Sequence, residues 1–258
     1  MSNTCKIYNN TGDTLVVDTG GVLDARNGTT KVGLMDFSPK VTLFDDFLGD
    51  VLEDAWSGAK GSDAQAVVPT ITPAAGGWVR LTSGDTATTA ESESSLTHGL
   101  NWKANQGGLV FETRVKPVSS VANVAYFIGL TDVLATTTLE EPVTLSGTTF
   151  TANADDAVGF VFDTAATTDV FYCIGVKATT KTAATATSAP VADTAVTLRI
   201  ELSVAGTASF YVDGTLVATI ADAVTATVAL TPVIEVMART TTSKSIDADY
   251  VYVQATRA

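Results

Sequence analysis

The sequence predicts an all-β chain, an antiparallel β-sandwich preceded by a short β-rich arm, and three observations carry that prediction. Segments such as "GWVRLT", "LVFETRVK", "VAYFIGL", "AVGFVFD", "VFYCIGVKA", "TLRIELSV" and "DYVYVQA" are rich in β-branched and aromatic residues and carry the period-2 pattern of strands. Turn formers separate them: Gly76-Gly77, Gly107-Gly108, Pro117, Gly147, Pro190, Asp213-Gly214 and Pro232. Their spacing suits antiparallel connections rather than βαβ units. Long helical windows are absent, so very little helix is expected.

In chain order, residues 1–42 form the arm and residues 43–258 the sandwich. The arm is rich in Gly and Asn and carries an Asn27-Gly28 hairpin signal. Its apolar bulk is too small for independent folding, so it is expected to dock on the sandwich, a sister subunit or another surface. In "LFDDFLGDVLEDAW", Phe44, Phe47, Leu48, Val51, Leu52, Ala55 and Trp56 fall at helical spacing. Gly49 in mid-pattern costs about 1 kcal/mol relative to Ala, and Asp is a poor interior residue, so a short strand followed by an irregular acidic loop is predicted. Residues 142–151 and 179–194 read as loops. "LRIELSVAGTASFYVDGTLVATI", Leu198 to Ile220, reads as two strands around a tight turn, then a third strand after Asp213-Gly214.

At 258 residues one large sandwich core is sufficient. Lys plus Arg number 15 against 28 Asp plus Glu, a net charge of −13 that argues against a nucleic-acid groove or an anionic membrane surface. No window approaches the roughly 20 apolar residues of a membrane span. "MSNTCKIYNN" lacks the basic start and apolar run of a secretory signal, so synthesis is expected to end in the cytoplasm. Cys5 and Cys173 have no partners at metal spacing, zinc is not expected, and Cys173 in "VFYCIGV" reads as a small buried hydrophobe.

"FDDFLGDVLEDAW" resembles the opening of concanavalin A-like lectin and glucanase domains. "RIELSVAGTASFYVDGTLVATI" resembles the hairpin of their laminin G-like members, and "IDADYVYVQA" is similar to their closing strand, which returns beside the first. The resemblance covers about residues 43 to 256 in the expected order and implies an antiparallel jelly-roll β-sandwich. With "LNWKANQGGLVFETRVK" and "DAVGFVFDT" in the same places, the whole chain also resembles tailed-bacteriophage virion proteins that join a short N-terminal segment to such a sandwich.

The glucanase relatives carry their acids as Glu-x-Asp-x-Glu, a spacing that places carboxylates on one strand face for acid–base work. That spacing occurs nowhere in this chain, and "AVGFVFDT" offers only Asp163. Hydrolysis would require acids from different strands to converge, and Glu235 or Asp163 would be the residues to substitute. Glu91 and Glu93 in "TTAESESS" read as a solvated pair, and Asp247 with Asp249 as a charged strand entrance. Asp45, Asp46 and Asp50, with Asp249, are the best candidates for calcium, a guess from oxygen chemistry alone. His98 has no nucleophile or orienting carboxylate beside it. Trp78, Trp102, Tyr126 and Tyr172 could stack on sugars if exposed, but their apolar strands suggest core packing.

These readings lead to the expectation of no catalytic, cofactor-binding or metal site, and of a non-enzymatic virion component. It would be a capsid decoration protein on the outside of the head, partnered by the major capsid protein and by sister copies in a trimer. The alternative is a carbohydrate-binding module attaching the virion to host glycans. Expression of residues 41–258 tests the arm: a cooperatively melting sandwich that no longer assembles or binds particles is expected. Unchanged assembly would make the arm an ornament.

Overall fold

The period-2 segments become strands because their alternate side chains have a core to enter. The structure is a computed structural model, described here for residues 40–72, 75–86, 92–134, 141–182 and 185–257. Its strands are β1 (Lys40–Asp45), β2 (Ser57–Lys60), β3 (Val67–Thr72), β4 (Trp78–Thr82), β5 (Glu93–Thr97), β6 (Leu109–Val118), β7 (Val124–Thr131), β8 (Val143–Ser146) and β9 (Thr149–Ala152). There follow β10 (Ala157–Asp163), β11 (Tyr172–Lys177), β12 (Thr180–Lys181), β13 (Thr185–Ala186), β14 (Val196–Leu202), β15 (Ala208–Val212), β16 (Thr215–Ile220), β17 (Thr231–Ala238) and β18 (Ser245–Thr256). A 3-10 turn lies at Ala104–Gln106.

The first sheet runs β16-β15-β14-β6-β18-β4-β3, with β1 also on β18; the second runs β12-β11-β10-β7-β17-β5-β2, with β13 on β11. Strands β8 and β9 form a separate hairpin. The closing strand β18 pairs antiparallel with β1, Lys40 facing Thr256 and Asp45 facing Val251, so the last strand returns beside the first of the described strands.

Between the sheets Phe111, Tyr126, Phe160, Phe162 and Phe210 are at most 1% exposed. Phe160 meets Phe210 edge to face at 5.4 Å, and Tyr126 stacks on Phe162 at 5.7 Å. The second sheet is buried on its other side as well. There Phe127, Val161, Ile174, Val176 and Val233 pack with Val143 and Leu145 of the β8–β9 hairpin. Burial of both faces explains why β7, β10 and β17 are nearly unbroken apolar runs, whereas β6 and β14 alternate.

Residues 142–151, expected as a loop, therefore contain the hairpin. "VTLS" and "TFTA" present apolar residues at alternate positions around Gly147, whose φ of 60° suits the turn. The strand followed by an irregular acidic loop forms as expected at Lys40 to Trp56. Asp45 organises that loop, accepting hydrogen bonds from the Phe47 amide at 2.8 Å and from Trp56 Nε1 at 2.6 Å. The turn after β15 places Asp213 and Gly214 at φ of 48° and 78°, the left-handed pair of a tight hairpin. Strand β1 begins at Lys40, ahead of the expected start at 43. The arm, Cys5 and the Asn27-Gly28 signal lie outside the described residues.

Phe160→Ala should lower stability by about 3–5 kcal/mol in urea denaturation, since the lost ring leaves a cavity between the sheets. Leu216→Ala on the exposed edge of β16 should stay within about 0.5 kcal/mol. Equal effects would place the core elsewhere.

Candidate functional site

Cross-strand partners share a face of a sheet. Glu93 on β5 lies opposite Met237 on β17, Met237 opposite Ala125 on β7, and Ala125 opposite Asp163 on β10. These four make one row across the outer face of the second sheet. Glu235 stands one step along that face, opposite Ser95 and Phe127. Two further residues complete the group: Arg239, just past β17, and Glu141, two residues before β8. Glu93, Glu141 and Glu235 are each 2% exposed and Asp163 1%.

Arg239 is the cation of this group. Its Nε donates to Asp163 Oδ1 at 3.0 Å, its Nη2 donates to Asp163 Oδ2, and Nη2 also reaches Glu141 Oε2 at 3.3 Å. The Glu141 carbonyl accepts from Asn153 Nδ2 at 2.8 Å, and the Pro142 carbonyl accepts from the amides of Asn153 and Ala154. The base of the hairpin is thereby tied to the acids.

Asp163 and Arg239 neutralise one another, which leaves three buried carboxyls without a second cation among the described residues. Burial, then the neighbouring Glu235 charge, pushes the Glu93 carboxyl up to about 10. Burial pushes Glu235 up to about 8, and burial raises Glu141 well above the ordinary range although Arg239 pulls the other way. Glu93 also accepts the Glu141 backbone amide. Among the described residues, Glu93 Oε2 and Glu235 Oε1 find no fixed N–H or hydroxyl donor. The two carboxyls face one another, and their contact is bonding only when one carries the proton.

The reading of Glu93 as solvated is corrected: its polar neighbours Ser92, Ser94 and Ser95 are buried with it. Glu91 lies outside the described residues. Glu235 carried a signal in the sequence, since a lone Glu inside "TPVIEVMA" is a charge in a buried strand. Nothing in the sequence tied Glu141 to it.

The other candidates are dispersed. Asp247 bonds Arg80 at 2.7 and 2.8 Å, and Asp249 bonds Arg114 at 2.7 Å, both within β18 rather than at its entrance. Asp45 is taken by Trp56, and Asp46 and Asp50 line an open depression of about 750 Å³. Among the described residues no three His, Cys, Asp or Glu gather as metal ligands would. His98 packs edge-on to Trp56 at 5.2 Å, its amide donating to Thr231 Oγ1, and burial lowers its pKa. Cys173 is a core residue whose thiol burial pushes up to about 12.

Trp102 and Tyr126 are core residues at 3% and 1% exposure. Trp78 is half-buried under Lys116 at 4.5 Å and Arg114 at 5.6 Å, and Tyr172 packs on Phe150. None presents a bare platform.

No protein-family model matches the chain. No curated protein matches it either. Among solved structures, it is similar to the beta-glucanase of Bacillus licheniformis, at 14% identity and a TM-score of 0.56 over 82% of this chain and 97% of that one. The laminarinase from Rhodothermus marinus is 12% identical, TM-score 0.58, over 83% and 96%. The carbohydrate recognition domain of Emp47p is 11% identical, TM-score 0.54, over 84% and 95%. These likenesses establish the fold, a concanavalin A-like jelly roll of the kind lectins and glucanases share.

They also correct the expectation of a chain outside the enzymes. Glucanase and laminarinase structures share its fold, and four acids converge from separate segments, a convergence no search along one strand can register. The virion expectation gains no support, since none of these structures is described as a virion or capsid protein.

Glu235 holds a proton in the fold that the unfolded chain releases. Its stabilising contribution is complete below the ordinary carboxyl value of 4.5 and is lost as the pH climbs toward about 8. Melting temperature of the wild type should therefore fall between about pH 5 and 8, and Glu235→Gln should flatten that fall. Parallel curves would contradict it. Arg239→Ala, which strands buried carboxylates, should cost about 3–5 kcal/mol.

Proposed function

We propose that this chain is a carbohydrate-binding jelly roll whose ligand face is the outer face of the second sheet, around Glu93, Glu235 and Asp163. One observation carries the reading: the carboxyls of Glu93 and Glu235 converge there, and among the described residues no backbone or basic N–H donates to Glu93 Oε2 or Glu235 Oε1. Sugar hydroxyls donate and accept hydrogen bonds at once, and so satisfy carboxyl and carboxylate alike. The fold shared with the Emp47p carbohydrate recognition domain supports the same reading.

A second reading, hydrolysis of a glycosidic bond, is favoured by the raised Glu93 carboxyl. A carboxyl that keeps its proton at neutral pH can hand it to a leaving oxygen, and a second carboxylate on the same face supplies the complementary role. On a virion, such a face would attach the particle weakly to host glycans and gain strength from copy number; that placement rests on the sequence resemblance.

The test is a glycan array followed by calorimetric titration of the best ligand. Binding by the wild type, weakened by up to about tenfold in Glu93→Gln or Glu235→Gln, is expected from the loss of a carboxyl hydrogen bond to the ligand. Binding unchanged in both variants would move the ligand face elsewhere. Release of reducing ends from a polysaccharide panel, abolished by Glu93→Gln, would select the second reading.

A further inference from the structure

The β8–β9 hairpin covers part of the outer face on which the proposed ligand would lie, and its base stands on the acid group. Val143 and Leu145 are each 1% exposed against the sheet. At the tip, the Gly147 amide donates to the Ala165 carbonyl at 2.7 Å and the Gly147 carbonyl accepts from Thr167 at 2.8 Å. The base adds polar ties to the apolar packing of Val143 and Ala154: Glu141 to Arg239, its amide to Glu93, and its carbonyl to Asn153. The hairpin thus has an apolar underside, a tip fixed by backbone bonds, and a base fixed to ionisable groups.

We propose that Glu93, Glu235 and Glu141 form a proton-held clasp on the base of the β8–β9 hairpin, and that their ionisation releases the base and uncovers the outer face of the second sheet. The charged and titratable groups that meet there are Glu93 from β5, Glu235 and Arg239 from β17 and its end, Asp163 from β10 and Glu141 from the hairpin base. One guanidinium, bonded to Asp163 and Glu141, stands among four carboxyls. Each ionisation beyond the Asp163 charge adds a buried negative charge that no second cation among the described residues balances, and such a charge forces in water or parts the groups. Of the elements around the cluster, the hairpin base is the one that no sheet ladder retains, since β8 and β9 pair only with each other. Raised carboxyl values at Glu93, Glu235 and Glu141 place the release on the alkaline side of neutrality. The clasp holds or fails whether or not the uncovered face takes a glycan.

Hydrogen exchange of the full chain, without any ligand, tests it. Amide protection is measured by mass spectrometry at about pH 6 and 9 and corrected for intrinsic rates. Protection of peptides covering residues 141–154 should fall at least about tenfold at the higher pH, while peptides from β6, β7 and β14 keep theirs. In the Glu93→Gln, Glu235→Gln double variant, the hairpin should stay protected at both values. Equal protection of the wild-type hairpin at both values, or loss in step with β6 and β7, would overturn the clasp. If the double variant does not fold, the wild-type comparison still decides.

Discussion

Four buried carboxyl groups gather around one guanidinium at the base of the β8–β9 hairpin, and that charge imbalance is the constraint on this end of the second sheet. Only the Asp163 charge is directly balanced by Arg239 in a two-bonded pair. The remaining three acids persist because protons stand in for missing cations, most clearly between Glu93 and Glu235. A buried group of this kind is a weak source of stability, since desolvation offsets what the pairing returns.

What holds that group in place is the double burial of the second sheet. Phe160, Phe162 and Tyr126 fix β10 and β7 from the inside, while Phe127, Val161 and Val233 receive the hairpin from the outside. Gly129 and Gly159 lie opposite one another on this face, where a Cβ on Gly159 would run into the Phe127 ring. Side chains of the central strands are consequently locked by contact on both sides. The ionisable residues sit at one end of this rigid plate, where Arg239 and Glu141 can reach them from flanking segments.

The sandwich was legible because strand periodicity and turn chemistry are local: "LRIELSVAGTASFYVDGTLVATI" folds as β14 to β16, and the Asp213-Gly214 turn closes as its residues demand. The acid group was not, because it is assembled by register between strands distant in sequence, β5 and β7 with β17 and β7 with β10. Ser and Glu around Glu93 look solvated until β5 is placed beside β17. Glu235 alone could be suspected, from its position in an apolar strand. The β8–β9 hairpin escaped notice for a related reason: Thr-rich strands of four residues resemble loops, and only their packing on the sheet distinguishes them.

The central claim is that Glu93 and Glu235 share a proton at neutral pH on the outer face of the second sheet. Infrared spectroscopy reads it directly, through the carbonyl stretch of a protonated carboxylic acid. The account predicts such a band in the wild type at about pH 7, its loss on alkaline titration toward the raised values of the pair, and its weakening in the Glu93→Gln, Glu235→Gln double variant. Complete ionisation of every carboxyl by about pH 6 in the wild type would contradict it.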